Sequence, residues 1–413
     1  MKKLLSEVLN DIKPSKEYKD EILDQANNII SKINKGIRDA KAVLGGSGAK
    51  GTWLKTFDAD IFVKFNYNKF KDQSDKLSDI LEKFLKKHFK ITRLHGSRDY
   101  FQIKQQKFTF EIVPILEIKK AEQAKNITDV SPLHSNFVLK HRKLIDDMRL
   151  TKQFFKAAKV YGAESYIRGF SGYVCEILTI NYGSFLKLIS AMPKWKEKTV
   201  IDVKNYHKNK NIFTEINKSK LTSPLIIIDP VQKDRNASAA LDQEKFEIVK
   251  HRAKQFLKKP SKEFFELKTL TEQDIRKKFQ KNNLIMLKAK PLNKKEDVAG
   301  AKMLKAFRFI EQNLVSYGFK VVESDMLWDS RPNSLFYYAL ENDKLSKTIE
   351  ISGPPLKIKH HLAFFRKKHK KTVIKKNRIF AVEKRKFTNA KDLMKNLIKI
   401  SNVKNNLKNI ELI

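Results

Sequence analysis

Asp58 and Asp60 stand two residues apart at the start of an apolar run, Phe57 to Phe65, reading F-D-A-D-I-F-V-K-F. The run alternates as a strand does, so both carboxylates point to one face. Side-by-side carboxylates repel each other unless water solvates them or divalent cations sit between them. The apolar residues that follow, Ile61, Phe62 and Val63, argue against full solvation. Further along, Glu111 lies inside Phe108-Thr109-Phe110-Glu111-Ile112-Val113-Pro114, where an acid without a partner is costly. Three carboxylates on neighbouring strands suit two-metal nucleotidyl transfer. One ion lowers the pKa of an attacking hydroxyl, and the other neutralises charge on a triphosphate and its leaving pyrophosphate. Taken alone, Glu111 reads equally well as a strand acid paired with Lys or Arg.

Just upstream, Gly46-Ser47-Gly48-Ala49-Lys50-Gly51 matches G-x-G-x-x-G. A dinucleotide site needs a helix after this motif, whereas Thr52 to Lys55 lead into a strand. The Walker A order, Gly then Lys then Ser or Thr, is also absent, because Lys50 precedes Gly51. What remains is a tight turn, Gly45 to Gly51, with exposed N–H groups, the Ser47 hydroxyl and the Lys50 cation. Such a concavity can hold a phosphate oxygen, and it can equally be a plain turn.

The elements that would position these groups follow from periodicity. Pro14-Ser15 starts a helix whose apolar face is Ile22, Ala26, Ile29 and Ile33, and Gly36 stops it. Ala40 to Leu44 reads as a strand. Ser78 to Phe89 reads as a helix capped by Ser78, with Ile80, Leu81, Phe84 and Leu85 on one face. Lys90 to Leu94, Tyr100 to Gln105 and Lys107 to Leu116 read as strands, so the first part is a small, mostly antiparallel α+β unit. From Phe137 to Lys258 the pattern is mainly helical. It includes the segment holding Phe154, Phe155, Ala158 and Val160, the segment opened by Val174, Ile177 and Leu178, and a helix Leu241 to Leu257 burying Phe246, Val249, Ala253 and Phe256. A short apolar run, Leu225 to Ile228, ends at Asp229-Pro230. Lys258-Lys259-Pro260 marks a boundary. Beyond it, Leu284 to Leu287 reads as a strand, Met303, Phe307, Ile310 and Leu314 form a helix face closed by Gly318, and Phe319 to Val322 and Leu335 to Leu340 read as strands. The division is therefore 1–136, 137–258 and 259–413.

The chain has 413 residues with 86 Lys+Arg against 46 Asp+Glu, a net charge of +40. Such an imbalance self-repels unless a polyanion relieves it, so nucleic acid is the leading partner class and an anionic membrane surface the second. One cysteine, Cys175, excludes an internal disulfide framework and a Cys-rich zinc site. Met1 to Leu5 imitates a signal peptide, but Glu7 and Asp11 interrupt it. The most apolar stretch, Tyr173 to Met192, contains Glu176 and Lys187. A soluble, cytoplasmic protein without membrane attachment is expected.

Gly-Ser followed by D-x-D on the next strand resembles the nucleotidyltransferase signature of the polymerase-β-like superfamily. The run Gly45 to Leu54, G-G-S-G-A-K-G-T-W-L, is similar to class I (archaeal-type) CCA-adding enzymes, which are tRNA nucleotidyltransferases. Ser131-Pro132-Leu133-His134 resembles that family's T-P-x-H segment. Tyr161-Gly162-Ala163-Glu164 and Arg168 to Glu176 (R-G-F-S-G-Y-V-C-E) resemble its helical signature, and Asp229-Pro230-Val231 with Arg235-Asn236 its D-P-V…R-N segment. Specific motifs reach to about residue 260. Beyond that the resemblance rests on Gly353-Pro354-Pro355 and the basic tail.

The resemblance implies a polymerase-β-like head, a helical central domain completing the nucleotide pocket, and an RRM-like α/β C-terminal domain that binds tRNA. It implies Mg²⁺ held by Asp58, Asp60 and Glu111, and triphosphate contacts from Ser47 and Lys50. It further implies nucleotide contacts from His134, Lys152 and Tyr161, and base recognition by Arg235, whose planar guanidinium can meet base acceptors. The family usually has Glu at the first metal position and Asp at the third, the reverse of Asp58 and Glu111. The implied substrates are tRNA, CTP and ATP, and a homodimer is an admissible assembly. Read without the resemblance, His134 also fits a loop histidine, Lys152 a surface lysine, Tyr161 packing under a helix end, and Arg235 a local pair with Asp234.

Arg366 to Arg378 holds eight Lys/Arg and no acid, flanked by Phe364, Phe365 and Phe380. Arg366, Lys367, Lys368, Lys370 and Lys371 are the candidate RNA contacts, with aromatics able to stack on unpaired bases. Another template-independent transferase, such as a poly(A) polymerase or an oligoadenylate synthetase relative, is the rival enzyme. A non-catalytic RNA-binding homologue is the rival of a different class.

Overall fold

The computed structural model describes residues 1–55, 59–268, 270–328 and 332–413. They form two compact units, Met1–Lys268 and Thr269–Ile413.

The first unit opens with a five-stranded sheet. Its strands are β1 (Ala40–Leu44), β2 (Ala59–Asn66), β3 (Ile91–Leu94), β4 (Tyr100–Gln105) and β5 (Phe108–Glu117), in the order β1-β2-β5-β4-β3. Only the β2–β5 pair is parallel, because the helix Leu77–His88 carries the chain across the sheet between them. The predicted helix runs Lys16–Gly36, with Ser15 accepting from the Tyr18 amide at 3.2 Å, and it buries Ile22, Ala26, Ile29 and Ile33 as expected. The second helix buries Leu81 and Leu85, but Ser78 is not its cap: its hydroxyl lies 2.9 Å from the Asp99 carbonyl and donates to it.

Among the elements not read from the sequence, two bear on the site. A helix Lys2–Ile12 buries Leu5, Val8 and Ile12 on the apolar cluster of the helical region, so the apolar residues that imitate a leader are a packing face. The glycine segment is not a simple turn but a one-turn helix, Gly46–Lys50, ended by Gly51 in the left-handed region at φ 68°. Periodicity cannot reveal a helix this short.

The helical region contains Ser131–Leu139, Ile145–Ala157, Gly172–Tyr182, Phe185–Ala191 and Gln243–Lys258. Phe154, Phe155, Phe170, Phe185 and Phe256 meet in its core. Gln243–Lys258 buries the four predicted residues and is capped by Asp242, which accepts from the Lys245 amide at 2.9 Å. The run at Leu225 is the centre of a small sheet of β6 (Thr199–Ile201), β7 (Leu225–Asp229) and β8 (Gln232–Asn236). After Lys258 the chain turns back, and Phe265 is buried in the same core.

The second unit has the order β-α-β-β-α-β. Its elements are β9 (Asn283–Lys290), the helix Glu296–Tyr317, β10 (Val321–Leu327), β11 (Ser334–Leu340), the helix Ala390–Leu397 and β15 (Asn409–Leu412). Its sheet is antiparallel in the order β10-β11-β9-β15, with the first strand inside, as in a split βαβ, RRM-like unit. The helix Glu296–Tyr317 buries Met303, Phe307, Ile310 and Leu314 and ends at Gly318 with φ 101°. Inserted after β11 is a second sheet, β12 (Thr348–Pro355), β13 (Thr372–Lys375) and β14 (Arg378–Lys384), with the helix Lys359–Lys368. The basic run occupies the end of that helix and the β13–β14 hairpin, whose turn residues Lys376 and Asn377 both have positive φ.

Candidate active site

Parallel pairing of β2 with β5 sets Asp60 directly opposite Glu111. The sheet therefore brings two acids from distant parts of the chain to one face, and the Gln102 amide on β4 donates to Glu111 Oε1 at 3.2 Å. Asp58 lies outside the described residues. The glycine helix rests on this pair: the Gly45 amide donates to the Asp60 carbonyl at 2.7 Å. A Cβ on Gly46, whose φ is +53°, would stand 1.6 Å from Asp60 Oδ2. Only glycine fits there, for conformational and steric reasons together. Two hard oxygen donors on one face of the sheet fit Mg²⁺, which commonly takes one or two protein carboxylates and completes its shell with water and substrate phosphates.

Beside the carboxylates lies an open cavity of about 540 Å³, a size that accommodates a nucleotide. Ser47, Thr52, Thr109, Lys152, Lys156 and Tyr161 are among its lining residues. Lys152 comes from the helix Ile145–Ala157 and is buried. Its ammonium donates to Glu176 Oε1 at 2.6 Å and to the Thr52 hydroxyl at 2.8 Å. Thr52 donates to the same Oε1 at 2.7 Å, and Lys50 donates to Oε2 at 2.7 Å. Burial works against ionisation of Glu176, but Lys152 and Lys50 outweigh it and hold the carboxyl down at about 2. For Lys152, desolvation dominates and lowers its pKa, with Glu176 acting in the opposite sense.

The sequence placed Lys50 in an open turn facing phosphate. The structure turns its ammonium inward onto Glu176, because the segment coils into a helix and directs that side chain at the neighbouring one. Arg149 ties the end of this loop to its own helix, donating to the Gly51 carbonyl at 2.6 Å and the Trp53 carbonyl at 2.9 Å. Tyr161 is half-buried beneath the Lys156 ammonium, which sits 5.0 Å from the ring centroid. Its hydroxyl leaves no room for a Cβ on Gly172, and burial pushes its pKa up.

A second cluster centres on Asp229, the last residue of β7, which is fully buried. His134 Nε2 lies 3.0 Å from Oδ2, and Arg235 Nη1 donates to the same oxygen. Oδ1 accepts from the Val231 amide at 2.9 Å and the Tyr173 hydroxyl at 3.2 Å. His134 stacks on Tyr173 with centroids 4.0 Å apart. Burial raises the Asp229 carboxyl, while His134 and Arg235 pull it below the usual carboxylate range. Arg235 thus pairs with Asp229 rather than with its neighbour Asp234. The ionised acceptor places the His134 proton on Nε2.

Sequence reasoning therefore found His134, Lys152 and Arg235 but missed the two acids that hold them. Both stood inside the quoted motifs, Glu176 ending R-G-F-S-G-Y-V-C-E and Asp229 opening D-P-V. A buried acid within an apolar run is the signal that marks each. In the second unit, Arg366, Lys367, Lys368, Lys370 and Lys371 are all exposed. No helix among the described residues is long and apolar enough to cross a membrane.

Three family models match the chain. Residues 146–266 match the second domain of tRNA nucleotidyltransferases, residues 282–410 the C-terminal domain of CCA-adding enzymes, and residues 1–131 the Second Messenger Oligonucleotide or Dinucleotide Synthetase domain. Among solved structures, the RNA terminal uridylyl transferase Cid1 superposes with a TM-score of 0.52 at 14% identity, covering 65% of this chain and 98% of that one, which shows a shared fold. The chain is 34% identical to the CCA-adding enzyme of Nanoarchaeum equitans, over 91% of this chain and 92% of that protein. It is 31% identical to the CCA-adding enzyme of Methanocaldococcus jannaschii, over 100% of this chain and 93% of that protein. With that extent of likeness over nearly the whole of both compact units, the chain belongs to the family of CCA-adding enzymes.

Proposed function

We propose that this protein adds C, C and A in steps to the 3′ end of tRNA, taking CTP and ATP and releasing pyrophosphate. The observation that carries the chemistry is the strand register that sets Asp60 opposite Glu111 beneath the glycine helix. Asp60 and Glu111, with Asp58 as the third acid, would hold Mg²⁺. When bound, the metal lowers the pKa of the attacking 3′ hydroxyl and neutralises charge on the triphosphate. The protein groups do the rest. Ser47 and Lys152 receive the triphosphate in the cavity, Lys50 supports Lys152 from behind through Glu176, and Tyr161 closes one wall. His134 and Arg235, held together by Asp229, face the nucleotide and its base.

Three working parts divide the reaction among them. The head is residues 1–136, the helical part 137–258, and the part that holds tRNA 259–413. Arg366, Lys367, Lys368, Lys370 and Lys371 neutralise RNA phosphates, which an A-form acceptor arm presents without regard to sequence. The protein works in the cytoplasm, where tRNA and the nucleotides meet, and a homodimer is compatible with this scheme.

The test is to incubate the protein with a tRNA trimmed of its last three nucleotides and with labelled CTP or ATP. Incorporation that stops after three nucleotides in the order C, C, A is expected. Unlimited addition of A would overturn the reading in favour of a poly(A)-type transferase, and no incorporation would favour a binding protein.

A further inference from the structure

Two buried ammonium groups and one buried carboxylate, each contributed by a different element, meet behind the wall of the cavity, which Lys152 and Thr52 line. Lys50 comes from the glycine helix, Lys152 from the helix Ile145–Ala157, and Glu176 from the helix Gly172–Tyr182. Glu176 has no exposed surface, and its two oxygens accept three hydrogen bonds, two from ammonium groups and one from Thr52. With all three groups charged, the cluster carries one positive charge in excess. A buried charge of that kind persists where its surroundings or a ligand compensate it.

We propose that Glu176 is a positioning residue of the nucleotide site, a single carboxylate that holds Lys152 against the cavity on one oxygen and Lys50 behind it on the other, leaving one net positive charge for the triphosphate to meet. The proposal rests on the nucleotide reading of the cavity and adds to it a residue that touches no substrate. Its logic is geometric. Without the carboxylate, nothing bridges the two lysines, and they repel each other in a site of low dielectric. Lys152 then loses its proton more readily, because desolvation already opposes its charge and Glu176 was the opposing influence. The other groups facing it are Lys50 and Thr52 from the glycine loop, Cys175 from the Glu176 helix, Lys156 on its own helix, and Tyr161. Among these, Cys175 is kept neutral by burial and cannot replace the lost anion.

The experiment measures binding of inorganic triphosphate by calorimetry in the presence of a chelator, so it does not depend on metal or on catalysis. Glu176→Gln keeps the shape of the side chain and removes its charge. At pH 8 it is expected to bind about tenfold more weakly than the wild-type chain, with a smaller loss at pH 6, because without the carboxylate Lys152 gives up its proton more readily. Glu176→Asp should hold a ratio that does not change with pH. A purely structural role would give a loss that is the same at both pH values, and that result, or unchanged binding, overturns the proposal. Should Glu176→Gln not fold, a double variant that also carries Lys152→Met replaces it. The double variant should bind weakly at every pH, and wild-type affinity in it would overturn the proposal. If the wild-type chain itself does not bind triphosphate, it is the nucleotide reading of the cavity that fails.

Discussion

In the unit Met1–Lys268 the cations beside the cavity are sequestered: Lys152 is 3% exposed and Lys50 8%, both bound to a carboxylate with no exposure at all. In the unit Thr269–Ile413 the helix Lys359–Lys368 buries none of its residues, and its last turn presents Arg366, Lys367 and Lys368 to solvent. The same residue types thus meet two opposite physical regimes. A buried ammonium is desolvated, so its position is fixed by partners and its field is barely screened, which suits one small anion held at one place. Exposed cations are mobile, screened by salt and individually weak, which suits a long polyanion met at many points. The family's reaction needs both: a triphosphate placed to within a bond length, and a large RNA held by its outline.

The contrast breaks first at the carboxylates. Asp60→Ala should lower nucleotide incorporation roughly a thousandfold, equivalent to about 4 kcal/mol of lost transition-state stabilisation, because a ligand of the expected metal is gone. Filter binding of tRNA should be nearly unchanged in the same variant, since the exposed cations are untouched. Comparable losses in both assays would mean that the two regimes are not separate.

Removing the buried anion at the second cluster comes next. Asp229→Ala leaves Arg235 and His134 without their shared acceptor, and should cost about 3 kcal/mol of stability, read as a lower melting temperature in calorimetry. A stability loss below ~1 kcal/mol would show that the pair behaves like a surface interaction.

A smaller, distributed effect is expected in the tail. Replacing Arg366, Lys367, Lys368, Lys370 and Lys371 with Ala should flatten the dependence of log Kd on log salt by about 0.9 for each phosphate that is no longer neutralised. The rate of incorporation at saturating tRNA should be unchanged. An unaltered salt slope would show that these residues do not meet the RNA. Smallest of all, Ser15→Ala removes the cap of Lys16–Gly36 without touching any of the cations and should cost about 1 kcal/mol of stability with normal activity.

Much of the scaffold was readable because it repeats. Ile22, Ala26, Ile29 and Ile33 mark a helix face at any distance from the rest of the chain, as do Phe246, Val249, Ala253 and Phe256. The strands flanking Glu111 alternate plainly, and the β-α-β-β pattern of the last third announced its sheet. Elements without a period were lost. The one-turn helix at Gly46–Lys50 is too short to show a repeat, and Lys2–Ile12 shows its apolar side only against a partner. Among site residues, those whose chemistry is unusual for their place, such as Asp60 in an apolar strand, could be found from sequence. Glu176 and Asp229 carried the same signal, an acid in an apolar run, but which cations they hold could not be read, because that depends on what they touch.

Residue types and spacing by themselves determined that acids, a glycine-rich segment and a large excess of cations belong to one chain, and hence which reaction class and partner the chain could serve. Local chemistry of that kind is written in the order of residues. Tertiary structure alone decided that Asp60 stands opposite Glu111, that Lys50 turns inward, and that His134 and Arg235, far apart in sequence, share one carboxylate. These are pairings between distant segments. Strand register and the burial of charge fix them, and both are properties of the packed chain as a whole.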